Sequence, residues 1–336
     1  MFRNLKARAK VLLNPLARFA TKRCARVLMY HRFGPGDPSR RLGAEQLDQQ
    51  LHFLRHYFHV VPLREIVSRL KDGVPFEPYS VALTVDDAYA DFGEYAYPVF
   101  QKHNVPVTIY VVSEFASGRM WLWWDAIRYL LDQAPVGRYQ LTAVKPQMEI
   151  SLKDLSSRNE AWLMLAAIGV TLTPPERDQY LIDLASALSV ALPTAPTREF
   201  AALDWNGLRA LDPSIVDIGA HTRTHPILSR CDTERIVHEI VESKKAIESQ
   251  IERRVTAFCY PNGTWDDMDE RCIVAVRGAG FDSAVMSYGG MACKGSNRYT
   301  LERMSVSHLD DEFKSNVSGI AYLRFLATPG NREPFG

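Results

Sequence analysis

The chain lacks any stretch approaching the roughly 20 consecutive apolar residues of a membrane-spanning helix, so no span is expected among its 336 residues. It lacks a net charge worth the name: the balance is +1, which gives no reason to expect nucleic acid or an acidic polymer as a partner. It has no internal repeat, which excludes solenoids and propellers. Cysteine is sparse and odd in number, at Cys24, Cys231, Cys259, Cys272 and Cys293, with no Cys-x-x-Cys. That set suits a reducing compartment, argues against a disulfide framework, and is expected to consist of buried small residues. Acidic residues are missing before Asp37, while Arg3, Lys6, Arg8, Lys10, Arg18, Lys22, Arg23 and Arg26 precede it.

Within that basic segment, Phe2, Leu5, Ala9, Leu12, Leu13, Leu16 and Phe19 recur at helical spacing, with Pro15 as a kink. No uninterrupted apolar core makes it a secretory signal. Residues 1–25 are therefore expected to form a basic amphipathic segment, able either to lie on an anionic membrane surface or to pack on its own domain. The expected location is cytoplasmic, with peripheral contact at the inner membrane face.

An apolar fraction of 46% is that of a full globular core. Buried strands are expected at Arg26–His31, Val81–Val85, Val105–Val112, Ile215–Ile218, Val255–Tyr260, Phe281–Met286 and Met304–Val306. Helical periodicity falls at 44–56, 90–103, 233–252, 267–278 and 310–326. Strands alternating with helices indicate parallel βαβ units, hence a barrel or an open α/β sheet. Residues of about 121–200 interrupt the alternation with three helical segments and a Pro-rich stretch, and read as a helical insertion. Thr173-Pro-Pro-Glu176 is a good helix start, with a hydroxyl cap and proline in the first turn.

Two motifs carry chemistry. Thr84-Val-Asp86-Asp87-Ala88 puts adjacent aspartates at a strand's C-terminal end. Inside a sheet they would face opposite ways at great cost, whereas at an edge both can turn into a cleft. An aspartate there also serves as an ordinary helix cap. His221-Thr-Arg-Thr-His225 follows a strand directly, and two imidazoles at that spacing can hold one metal ion.

On these residues the chain resembles the polysaccharide deacetylase family, the NodB-homology group of carbohydrate esterases. The family's Thr-Phe-Asp-Asp-Gly is seen as Thr84–Ala88, its His-(Ser/Thr)-x-x-His as His221–His225, and a loose Arg-x-x-Pro-Tyr-Gly as Phe258–Gly263. Leu28-Met-Tyr-His31-Arg resembles the Tyr-His strand of members acting on poly-N-acetylglucosamine. The resemblance spans roughly 26–115 and 205–310, and implies a distorted (β/α) barrel over 26–336 with the insertion at 121–200. It implies Asp86 as the general base that activates water, and Asp87, His221 and His225 as ligands of Zn2+, or of Co2+ or Ni2+. Tyr260, Pro261, Asn262 and Gly263 would form the substrate and oxyanion segment, with Gly263 permitting close approach and Tyr89 lining or underlying the cleft.

The chain departs from the pattern in three places. Ala88 replaces glycine, no arginine precedes the third motif, and the late Leu-x-His motif is not clear. Arg303 is the candidate to orient Asp86, and His31 is favoured over His308 as general acid. Trp121, Trp123 and Trp124 would be core or a glycan-stacking lip, and Arg223 a surface pair or an anion contact. The expected reaction is removal of an N-acetyl group from an amino sugar in a cell-surface glycan or its nucleotide- or lipid-linked precursor. Two alternatives stay open: a deformylase or amidase acting on a lipid-linked sugar or small amide, and a glycan-binding protein without turnover.

Overall fold

The computed structural model describes residues 13–37, 40–145, 147–287 and 289–327. The strands are β1 (Arg26–Tyr30), β2 (His59–Val60), β3 (Ser80–Val85), β4 (Val107–Val111), β5 (Gly137–Leu141), β6 (Met148–Leu152), β7 (Val216–Ala220), β8 (Ala257–Cys259), β9 (Ser283–Val285) and β10 (Met304–Ser305). The central strands β1, β3 and β4 are buried along their whole length, as parallel strands covered on both faces must be.

The main sheet is parallel, in the order β10-β1-β3-β4-β7-β8-β9, with β2 also on β3. It curls on itself. Val285 of β9 bridges Leu301, just before β10, and β10 lies against Leu28 and Met29 of β1. The result is the distorted (β/α) barrel expected from the sequence. Its interior is filled by residues such as Ala82, Thr84, Tyr110, Cys259 and Arg303, while the alternate strand residues Leu83, Ile109, Val216 and Phe258 face outward onto Leu47, Leu51, Ile236, Ile240 and Val276 of the surrounding helices.

Element bounds move for local reasons. The helix expected at 90–103 is a π-turn over Phe92–Ala96 followed by Tyr97–His103, and the one expected at 310–326 breaks at Gly319 (φ 93°). A helix at Leu63–Asp72 and the β5–β6 hairpin were not expected. The hairpin's residues alternate in burial too weakly to stand out from a helical region. Residues 123–192 gather round their own core of Ile127, Leu131, Leu165, Tyr180 and Leu184. Thr173 starts its helix as read, its N–H bonded to Glu176 at 2.9 Å.

One reading is corrected outright. Cys24 and Cys293 form a disulfide across 269 residues. Curling of the sheet brings them together, since Ala25 and Ala292 exchange backbone hydrogen bonds of 2.7 and 3.0 Å. Nothing local in the sequence signals that approach. Cys231, Cys259 and Cys272 are free and buried.

Of the basic segment, residues 1–12 lie outside the described residues. Residues 13–20 are helical, with Leu13, Leu16 and Phe19 exposed. Arg18 stacks on Tyr57 at 4.3 Å, and the chain enters the N-terminal end of β1 directly afterwards. This helix therefore sits at the opposite end of the barrel from the strand ends that carry His31, Asp86 and His221. No helix among the described residues is long and apolar enough to cross a membrane.

Candidate active site

At the end of β3 the chain turns sharply, because Asp87 and Ala88 take φ of 68° and 51°. Both aspartates consequently line one cleft instead of pointing to opposite faces. Ala88 holds a left-handed conformation with its Cβ, at a cost of about 1 kcal/mol.

Asp86 is clamped. Arg303, itself buried, donates to Asp86 Oδ1 and Oδ2 at 2.6 Å each, and fixes its own position on Met286 O (2.6 Å) and Thr84 Oγ1 (3.0 Å). Burial alone would raise the Asp86 pKa. The Arg303 charge and its hydrogen bonds, with His31 and His221 adding to them, hold it instead well below the usual carboxylate range. Arg303 thus reaches Asp86 from the residue just before β10, 217 positions away in the chain. His31 Nε2 stands 3.6 Å from Asp86 Oδ2, and its side chain is 46% exposed in the cleft. His308 lines neither arm of that cleft, which leaves His31 as the histidine beside Asp86.

Asp87 is the opposite case. Its Oδ1 is buried and accepts no hydrogen bond. It lies 3.6 Å from His221 Nε2 and 3.7 Å from His225 Nε2, too far for a hydrogen bond and close to the spacing of ligands that share one ion. Burial, and then the neighbouring Asp86, raise the Asp87 pKa well above its ordinary value. Desolvation lowers His221 to about 4 and holds His225 well below its ordinary value, so both imidazoles are neutral with lone pairs free for a metal. His221 Nδ1 donates to Cys259 O at 2.8 Å, which makes that nitrogen the N–H and leaves the Nε2 lone pair for a metal.

The described residues contain a second cluster of possible ligands, Asp86, His221 and Cys259. It fits a metal poorly. Both Asp86 oxygens are committed to Arg303, and burial pushes the Cys259 thiol up, away from the thiolate a metal requires. Asp87, His221 and His225 are the set that fits.

The histidines are carried by a turn, with Thr222 and His225 at φ of 65° and 53°. Glu239, fully buried on the helix Thr233–Ile251, holds that turn by accepting from the N–H groups of Arg223 and Thr224 (2.9 and 2.7 Å) and from the Thr224 hydroxyl (2.7 Å). Sequence reasoning missed Glu239, because a glutamate on an amphipathic helix looks like any solvated residue. Arg223 pairs with Glu114 at 3.0 Å, the local pair weighed against an anion contact.

The third motif divides. Asn262 (φ 56°) lines the cleft, and its backbone N–H has no acceptor among the described residues. Tyr260 turns into the core and donates its hydroxyl to Tyr299 O at 3.1 Å, and Pro261 is buried. Gly263 is required by the fold instead of by substrate approach: a Cβ there would stand 2.8 Å from Ser287 N. Tyr89 both lines the cleft and underlies it, with its hydroxyl on Asp125 Oδ2 at 2.6 Å and Arg32 over its ring at 3.9 Å. Burial raises Asp125 to about 6 against the pull of Arg32 and Tyr89.

Two arms meet at His31, Asp87, Trp124, Trp162 and Leu163. One, of 520 Å³, is lined by Arg32, Arg40, Arg41 and Arg128 among acidic partners. The other, of 490 Å³, holds the metal-ligand set and an apolar wall. Trp121 is core, its ring tilted against Phe200 at 5.6 Å, whereas Trp124 sets its edge against His225 at 4.6 Å.

The family model for polysaccharide deacetylase matches residues 73–136 and 174–281, just over half of the chain, and the chain belongs to that family. The match stops short of His31 and Arg303, which join the site by geometry. Among solved structures, the deacetylase PplD of Streptococcus pyogenes, in complex with acetate, has a TM-score of 0.58 at 15% identity over 88% of this chain and 98% of that one. IcaB of Ammonifex degensii has 0.56 at 16% over 88% and 96%. A de-N-acetylase of Aggregatibacter actinomycetemcomitans has 0.56 at 14% over 87% and 99%. At such identities the likeness is one of fold. No curated protein matches the chain.

Proposed function

We propose that the chain is a metal-dependent carbohydrate N-deacetylase, freeing the amine of an N-acetylated amino sugar in a cell-surface glycan or its nucleotide- or lipid-linked precursor. The observation that carries this reading is a pair of adjacent, unlike carboxylates. Asp86 is locked to Arg303, and Asp87 keeps a buried oxygen without a partner between two neutral imidazoles. Zinc, or cobalt or nickel, held by Asp87, His221 and His225 would supply Lewis acidity and a lowered water pKa.

The chain's own groups do the rest. Asp86 stays ionised at neutral pH, and its Oδ2, on the His31 side, takes the proton of the attacking water. That proton passes from Asp86 Oδ2 to His31 Nε2, 3.6 Å away, and on to the departing amine, which leaves poorly unless protonated. The Asn262 N–H donates to the developing oxyanion. Arg303 fixes Asp86 and is a positioning residue. Asp86→Asn is expected to lower kcat by about 10²- to 10⁴-fold while zinc binding is unchanged; full activity in that variant contradicts the proposal. Acetylated and formylated substrates compared side by side define the acyl group.

The same proposal takes residues 1–25 as a basic segment and 26–336 as the catalytic domain, with the insertion at 121–200. Peripheral membrane contact through residues 1–25 would tether the enzyme by the end of the barrel away from the cleft. The cytoplasmic location loses its cysteine argument, because a Cys24–Cys293 pair belongs to an oxidising compartment. Thiol titration of protein taken from cells tests it: five free cysteines place the chain in a reducing compartment, three in an oxidising one.

A further inference from the structure

The helix Leu155–Thr171 contains ten successive residues, Ala161–Val170, without a charge, and their one polar side-chain group, the Trp162 indole N–H, is spent on Trp124 O at 3.0 Å. Ala161, Leu165 and Gly169 are buried against the insertion core. Gly169 makes that seating close, because a Cβ would stand 2.6 Å from the Trp123 ring. The other faces should then be polar, and they are not. Leu163 is 62% and Met164 48% exposed. Leu163, Ala166, Ala167 and Val170, at i, i+3, i+4 and i+7, form a continuous apolar stripe along the wall of the arm that holds the metal-ligand set.

That stripe has the wrong chemistry for a sugar. Hydroxyl groups need donors and acceptors, and four aliphatic side chains offer neither. No lysine or arginine lines this arm, whereas the arginines gather in the other one. The stripe is also continuous with the reacting centre, since Leu163 borders both arms and the same arm contains Asp87 and His225. Apolar surface left exposed inside a catalytic cleft marks a ligand with a matching apolar part.

We infer that this arm seats the hydrocarbon chain of an amphiphilic substrate, an amino sugar carrying an alkyl, acyl or prenyl group. The identity of the sugar rests on the deacetylase proposal, and the chain site does not. Metal-free protein is titrated with octyl glucoside and with methyl glucoside, below the micelle concentration, following fluorescence of Trp123, Trp124 and Trp162. Burial of only two methylenes of the octyl chain makes it about tenfold the tighter ligand. Leu163→Glu and Ala167→Glu, both at exposed positions, each remove the preference without changing the melting temperature. Equal affinity for the two glucosides, or a preference that survives both variants, overturns the inference. So does binding to phosphatidylcholine vesicles without binding of monomeric octyl glucoside, which would make the face a membrane contact. Zinc-loaded protein is tested in parallel on octyl and methyl N-acetylglucosaminide. An octyl preference in binding without acetate release supports the chain site and removes the deacetylase proposal. Acetate release at equal kcat/KM from both overturns the chain site and leaves that proposal standing.

Discussion

The strand ends of the barrel and the insertion helix across the cleft are built on opposite physics. At the strand ends, Asp87, Thr222, His225 and Asn262 all hold left-handed backbone, and two carboxylates, two imidazoles and a guanidinium are buried together. Backbone strain of that kind costs about 1–3 kcal/mol per residue and persists only where the surroundings impose it. The helix Leu155–Thr171 has regular backbone and no buried charge, and instead leaves hydrocarbon in water. The first region gives up stability to fix charged groups in place; the second gives up solubility to keep a wall apolar. Substitutions should therefore behave very differently on the two sides.

The largest contrast is expected at Arg303. Arg303→Met leaves Asp86 buried without a counter-charge and should cost about 3–5 kcal/mol in denaturant unfolding. Leu163→Ser, on the exposed wall, should stay within about 0.5 kcal/mol. Comparable losses in the two variants would break the comparison.

A smaller effect concerns pH. In metal-free protein the Asp87 pKa is raised, so its neutral form is favoured and the stability it contributes is lost as pH rises through that value. A metal requires the carboxylate. Zinc affinity should accordingly climb with pH above the ordinary carboxylate range, and level off once the raised Asp87 pKa is passed. His221, at about 4, is already neutral over that window, so the displaced proton is that of Asp87. Calorimetry in buffers of different ionisation enthalpy counts about one proton released per zinc on the acid side of that value; none there would contradict the assignment.

The smallest effect belongs to Ala88. Ala88→Gly relieves a left-handed alanine but adds chain entropy to the unfolded state, two terms of about 1 kcal/mol that nearly cancel. The melting temperature should move by no more than a few degrees in either direction. A large rise would mean that the turn is more strained than its φ of 51° implies.

Much of the centre was legible because its residues come in short, ordered motifs. Asp86-Asp87 and His221–His225 could be read at strand ends; the alternation of strands and helices left a barrel or an open sheet, and the family resemblance chose the barrel. Arg303 was a lone arginine before a late strand, and only the curling of the sheet that sets β10 against β1, itself paired with β3, brings it to Asp86. Glu239, the Cys24–Cys293 pair and the true surroundings of Gly263 depend on contacts between distant segments, which carry no local signal. The insertion was read only as helical, and that one face of Ala161–Val170 opens onto the cleft is a matter of packing.

The measurement closest to the central claim is calorimetric titration of zinc into chelator-stripped protein, with Asp87→Ala as the companion. The account predicts one tight site in the natural chain, lost in the variant, with both proteins folded by circular dichroism. A folded natural chain with no tight site, or an Asp87→Ala variant that binds zinc equally well, would contradict it.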